Sequence, residues 1–158
     1  MVFELVDEEK EFKTIEMMAG IIWPTYYKNI LPREEIAYIL KEYLSADAIK
    51  NATRQGHTFV IMYEDDIRIG FMSYKFERNY IFISNLYILP QYRDKNVGKA
   101  SIDYLDQFNL PLEIHVNENN TQSIDTLTHL GFHINETIKE NIGNGYINNN
   151  VVLKKGMN

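Results

Sequence analysis

The chain contains no cysteine. That excludes disulfides, thiolate metal sites and a cysteine nucleophile. Long apolar runs are also missing, and no stretch approaches the roughly 20 residues of a membrane-spanning helix. Basic charge is in short supply: 16 Lys and Arg face 22 Asp and Glu, leaving a net charge of −6. Nucleic acid is therefore not the expected partner, because phosphate backbones require a basic face. Only 4 prolines and 8 glycines punctuate 158 residues, and they form no linker-like cluster. With no repeat either, a single domain over residues 1–158 is expected. No leader segment is recognisable, so the expected location is the cytoplasm, with no membrane association.

What is present is core-forming material. Hydrophobic residues make up 45% of the chain and aromatic residues 13%, which argues against disorder. Phe3 to Val6 reads as an edge strand. Phe12, Ile15, Met18, Ala19 and Ile22 recur at helical spacing, which predicts a helix from Glu8 to Trp23, closed by Trp23-Pro24. A second helix is predicted from Pro32, with Ile36, Leu40, Tyr43 and Leu44 buried. Ser45 suits the N-cap of a third helix reaching Ala52. Strands follow at Thr58–Tyr63, Ile67–Phe76 and Tyr80–Leu89, with a hairpin turn at Glu64-Asp65-Asp66. Asn96 to Phe108 is a helix. Ile114-His115-Val116 is a short strand, Ser123 to Leu130 another helix ended by Gly131, and Phe132–Ile138 and Tyr146–Leu153 are the last strands. The predicted fold class is mixed α/β, a mostly antiparallel central sheet flanked by helices, with one helical crossover.

The run Leu86-Tyr87-Ile88-Leu89-Pro90-Gln91-Tyr92-Arg93-Asp94-Lys95-Asn96-Val97-Gly98-Lys99-Ala100 carries the chemistry. A strand passes through a tight loop into a helix, so backbone N–H groups converge at the positive end of a helix dipole. That arrangement binds phosphate. Glycine at Gly98 allows close approach, and Asn96 tolerates a left-handed backbone. Arg93, Lys95 and Lys99 offset the Asp94 carboxylate. Further on, Val116, Asn120, Ser123, Leu127, Gly131 and Phe132 form a second pattern across a strand, a polar break and a helix.

Together these two patterns resemble the GCN5-related N-acetyltransferases (GNAT). The first matches their Arg/Gln-x-x-Gly-x-Gly/Ala phosphate loop, with Asn96 in place of one glycine and Asp94 at another position that is often glycine. The second matches Val-x-x-x-Asn-x-x-Ala-x-x-x-Tyr-x-x-x-Gly-Phe. The resemblance implies acetyl-CoA as co-substrate, no metal, and attack by an amine on the thioester carbonyl. It implies that Leu86, Tyr87, Ile88, Arg93, Asp94, Lys95, Asn96, Val97, Gly98, Lys99 and Asn120 contact the cofactor, with the Ile88 N–H as oxyanion donor and Asn120 counted with Ile88 and His115 in the catalytic set. His115 occupies the place where relatives that acetylate peptide N-termini carry a glutamate base. Its imidazole is suited to neutral pH. Glu113 on the same strand face and a water relay are the alternatives. Leu127 stands where the family's acid, a tyrosine, is usual; Tyr87 and Tyr146 are substitute candidates.

Trp23-Pro24-Thr25-Tyr26-Tyr27 and Ile142-Gly143-Asn144-Gly145-Tyr146 resemble the branch that includes polyamine N-acetyltransferases. Trp23, Tyr26 and Tyr27 are accordingly the expected acceptor-binding residues. The expected acceptor is a small amine, a polyamine first and a peptide or protein α-amine second. A non-catalytic acyl-CoA-binding sensor or partner module is the rival of a different class. A homodimer is compatible with all of these. His129 and His133 are four apart, but Gly131-Phe132 breaks the helix that would join them, so no metal is expected.

Overall fold

The computed structural model describes residues 1–93 and 96–156. Its elements are β1 (Val2–Leu5), α1 (Glu9–Tyr27), α2 (Arg33–Tyr43), α3 (Ala46–Arg54), β2 (His57–Glu64), β3 (Ile67–Phe76), β4 (Ile81–Ile88), α4 (Val97–Asp106), β5 (Leu112–Asn117), α5 (Thr121–His129), β6 (His133–Gly143) and β7 (Tyr146–Lys155). The strands form one sheet in the order β1-β2-β3-β4-β5-β7-β6. Every described pairing is antiparallel except β4 with β5.

Alternation along the strands gives two apolar faces. Phe59, Ile61 and Phe71 pack against α1, α2 and α3. Val60, Met72, Ile83, Ile114 and Leu153 pack on the other face with Ile102 and Leu105 of α4 and Leu127 of α5. Asp65 and Asp66 both take positive φ, as a two-residue hairpin turn requires.

Three predicted details change. Helix α1 does not stop at Trp23-Pro24 but runs through Pro24 to Tyr27, with the Lys28 N–H donating to the Pro24 carbonyl at 3.1 Å. Proline removes one donor, but Pro24 and Gly20 are both exposed, so the freed carbonyl is open to solvent. On the opposite face buried Trp23 and Tyr27 stack at 4.3 Å and hold the last turn. In α2 the inward residues are Ile36 and Ile39, followed by Leu44, while Tyr43 is exposed and donates its hydroxyl to the Ile142 carbonyl at 2.6 Å. Strand β6 extends five residues beyond the predicted Ile138, to Gly143. Its Lys139-Glu140-Asn141 stretch hid the strand, because an edge strand tolerates polar residues. The Asn144-Gly145 turn, both residues at positive φ, closes the β6–β7 hairpin.

Candidate functional site

The site follows from a failure of pairing. Strands β4 and β5 pair in parallel only at Ile81 with Leu112, Phe82 with Glu113 and Ile83 with Ile114. Beyond that point β4 continues to Ile88 and β5 to Asn117 without meeting. The cause lies on the other edge of β4. Ser73 of β3 pairs with Asn85 and Tyr74 with Ile83, so Ser84 is an extra, bulged residue. A bulge bends its strand. Here the bend begins where the parallel register ends, and the two strands diverge.

The divergence leaves backbone groups free. The Leu89 N–H donates to Ile69 of β3 at 2.8 Å. Alternation then turns the N–H groups of Leu86 and Ile88 the other way, into the gap. The Ile88 carbonyl, on that same side, accepts the Tyr26 hydroxyl at 3.1 Å. A cavity of about 220 Å³ fills the gap, bounded by Leu86–Ile88, His115, Val116 and Asn120, with Tyr26 and Tyr27 from the end of α1.

At its outer end the cavity meets the start of α4. Asn96 is left-handed at φ 58°, and its side chain does not cap the helix. The first intrahelical bond runs from the Ala100 N–H to the Asn96 carbonyl at 3.1 Å, so the N–H groups of Val97, Gly98 and Lys99 have no helical acceptor. A second depression, bordered by Arg93, Asn96, Gly98 and Lys99, opens there. A Cβ built on Gly98 would meet only ordinary contacts, at 3.8 Å from Leu130 and 3.9 Å from Thr126. Packing therefore does not demand glycine at this position. The buried Val97 side chain packs with Met62 and Ile69 and can offer a ligand only its backbone. Lys99 is paired with Asp103 at 2.7 Å. Asp94 and Lys95 lie outside the described residues.

Arg93 reaches back over the cavity. Its guanidinium stacks 3.6 Å from the Tyr26 ring centre and donates to the Gln122 side chain at 3.3 Å, while its buried Nε has no partner among the described residues. Asn120 caps α5 by accepting the Ser123 N–H at 3.4 Å, and its Nδ2 donates to the Tyr27 hydroxyl at 3.4 Å. Burial raises the Tyr27 pKa, against opposing hydrogen bonds with Tyr87 and Asn120. Tyr87 is pushed well above the usual tyrosine value by its own burial, then by Tyr27. Both phenols hold their protons at neutral pH.

His115 lines the cavity, but its ring is fully engaged. Nδ1 lies 2.7 Å from Glu140 and Nε2 lies 2.8 Å from Glu113. Each ring nitrogen already faces a carboxylate, so an incoming ammonium reaches the ring only by displacing Glu113 or Glu140. Glu113, the alternative, is held by His115 and by Lys154 at 3.7 Å. Of the three expected acceptor residues, Tyr26 and Tyr27 border the cavity. Trp23 stands behind them, stacked on Tyr27 and tilted against Tyr87 at 5.4 Å. Tyr146 packs on Tyr38 at 5.3 Å, on the hairpin side.

Two residues that border the cavity, Ser84 and Asn85, escaped the sequence reading. The available signal was two consecutive polar residues inside an otherwise apolar strand, the mark of a bulge.

The residue match extends over most of the chain. Residues 15–132 fit the model of the Acetyltransferase (GNAT) family. The chain belongs to the GNAT family of acetyltransferases. Its fold recurs in solved members. A PaiA N-acetyltransferase from Thermoplasma acidophilum, in complex with coenzyme A, superposes with a TM-score of 0.77 at 19% identity, over 98% of this chain and 99% of that one. A GCN5-related N-acetyltransferase from Rhodopseudomonas palustris gives 0.80 at 16% identity, over 99% and 95%. A chimera of the spermidine N-acetyltransferase SpeG from Vibrio cholerae and hSSAT gives 0.68 at 15% identity, over 98% and 93%. A search by sequence against curated proteins found no match. No helix among the described residues is long and apolar enough to cross a membrane.

Proposed function

We propose that this GNAT acetyltransferase transfers the acetyl group of acetyl-CoA to the primary amine of a small molecule. The observation that carries the reading is the unpaired edge of β4, where the Leu86 and Ile88 N–H groups face a cavity that ends at the start of α4, which the Asn96 side chain does not cap. The residues fit the co-substrate. The first-turn N–H groups of α4, the space beside Gly98 and the guanidinium of Arg93 suit a pyrophosphate. The narrow gap between β4 and β5 suits an extended arm, with its thioester carbonyl on a β4 N–H as oxyanion donor.

The general acid missing at Leu127 has a replacement from another element. The Tyr27 hydroxyl, oriented by Asn120, borders the gap and can donate to the leaving sulfur. Thiols ionise near pH 8.5, so one hydrogen bond is useful help rather than a necessity. The acceptor enters on the face of the sheet that carries Ser84, Asn85 and His115. A polyamine is the first candidate, because the aromatic end of α1 resembles that branch. A peptide α-amine is the second. The reading also takes residues 1–158 as one domain acting in the cytoplasm, with a homodimer compatible.

The test is calorimetric titration with acetyl-CoA, then thiol release on the same sample with spermidine, small monoamines and short peptides. Binding with turnover is the expected result. Binding without turnover on any acceptor would make the chain an acyl-CoA-binding module. No binding would remove the reading.

A further inference from the structure

Beside the cavity lies a chain of polar side chains that the fold does not need for packing. Ser73, on β3, is fully buried. Its Oγ accepts from Asn85 Nδ2 at 2.8 Å and lies 2.6 Å from Ser84 Oγ. Ser84 Oγ in turn lies 3.1 Å from Nδ1 of His57, the first residue of β2. The bulge makes the chain possible, because it turns the adjacent side chains of Ser84 and Asn85 to the same face of the sheet. Ser84 and Asn85 border the cavity, and His57 is only partly buried.

The direction that lets this chain move a proton runs from Asn85 to His57. The Asn85 amide donates to Ser73, the Ser73 hydroxyl then donates to Ser84, and the Ser84 hydroxyl donates to His57 Nδ1; the reverse order would leave Nδ1 protonated. His57 is then the Nε2–H tautomer, with Nδ1 accepting. Ser84 Oγ keeps one lone pair for the cavity. Burial, and then the Lys75 ammonium, hold the His57 ring below the usual histidine range, with Glu77 opposing. The ring is neutral at pH 7 and able to take a proton.

The geometry points to Ser84 and His57 as the base relay of this enzyme. This rests on the acetyltransferase reading above. An acceptor ammonium gives one proton to Ser84 Oγ as the Ser84 hydroxyl proton passes to His57 Nδ1. His57 becomes imidazolium, releases its Nε2 proton to water, and returns to the Nε2–H form by proton exchange with water before the next turnover. The freed amine attacks the thioester carbonyl; the C–N bond forms, the C–S bond breaks, and sulfur leaves with the electron pair. Tyr27 gives its proton to the leaving thiolate, and the second amine proton replaces it. The relay also selects the oxyanion donor. Leu86 is about 7 Å along the strand from Ser84, whereas Ile88 is about 13 Å away. An amine at Ser84 reaches a carbonyl held by Leu86, so Leu86 takes the role expected for Ile88.

The first arm of the test needs no substrate. Nitrogen-15 NMR of the imidazoles in the ligand-free protein at pH 7 should show His57 neutral, protonated on Nε2 and hydrogen-bonded at Nδ1. A protonated Nδ1 or a charged ring would overturn the relay. The second arm uses the acceptor with the highest turnover among spermidine, monoamines and short peptides. His57→Ala and Ser84→Ala should each lower kcat/KM by about 10²-fold. The double variant should be no worse than either single one, since the two act as a unit. Ser84→Thr and added imidazole with His57→Ala should restore activity, and acetyl-CoA affinity by calorimetry should stay unchanged in all of them. Additive losses, or no rescue, would overturn the relay while leaving the acetyltransferase reading intact. A wild-type protein that turns over no acceptor would remove that reading, and the NMR arm would still decide the relay geometry.

Discussion

Tyr27 shows how one side chain can serve packing with its ring and the cavity with its hydroxyl. Its ring is 5% exposed and stacked on Trp23, so its packing role is settled by burial. Its hydroxyl does something else, meeting Asn120 across the gap between β4 and β5. Tyr27→Phe keeps the ring and loses one hydrogen bond, a cost of about 1 kcal/mol in stability. The expected loss in turnover is larger, about 10²-fold, and smaller with an acetyl thioester whose thiol is more acidic. Denaturant midpoints and rates on both donors check this; equal rates with acetyl-CoA would leave the acid unassigned.

His57 permits a prediction with a definite sign. Its folded pKa lies below the ordinary histidine value of 6.5. Between the two values the unfolded chain binds more protons, so the stability tied to the neutral ring is present above pH 6.5 and lost as pH falls through that window. His57→Gln should therefore lose less stability than the wild type between pH 7 and pH 5, measured by urea midpoints.

At the scale of elements, β4 and α4 do the positioning. Gly70 lets β3 lie close to β4: a Cβ there would land on the Tyr87 carbonyl oxygen and come 3.1 Å from Ile88 Cα. Gly70→Ala should push the two strands apart, cost about 1–3 kcal/mol in stability and weaken acetyl-CoA binding through displaced Leu86 and Ile88 N–H groups. Thermal unfolding and calorimetry would show both losses together. Gly98→Glu is the contrasting case. A Cβ there meets only ordinary contacts with Leu130 and Thr126, so the fold should survive, but bulk and negative charge then occupy the proposed pyrophosphate position. Acetyl-CoA binding should vanish in calorimetry with the melting temperature within a few degrees of wild type. Unchanged affinity would move the phosphate site elsewhere.

For the whole molecule, the sheet is a bridge between two cores that meet through it. One core holds α1–α3 and the other holds α4 and α5. The gap between β4 and β5 interrupts that bridge, and a ligand filling it would tie both sides together. Acetyl-CoA at 100 times its Kd should stabilise the fold by about 2.7 kcal/mol and raise the melting temperature by roughly 5–10 °C. A thermal shift series against ligand concentration tests it, and no shift would contradict the cofactor assignment.

Period-two and helical patterns in the sequence determined most elements of the fold, because burial of one face leaves its trace in residue order. The strand, the left-handed Asn96 and the glycine at the start of α4 were legible because they are local features. The end of α1 was not legible, since Pro24 argues locally for a stop and only the packing of Trp23 and Tyr27 overrides it. Nor was the His115 clamp, whose partner Glu140 comes from β6, two strands away across β7. The polar chain from Asn85 to His57 needed the tertiary structure most of all. It joins β2, β3 and β4 across a bulge, and a bulge shifts which side chains share a face. A sequence alone determines what each residue can donate or accept; the register of the sheet decided which of them meet.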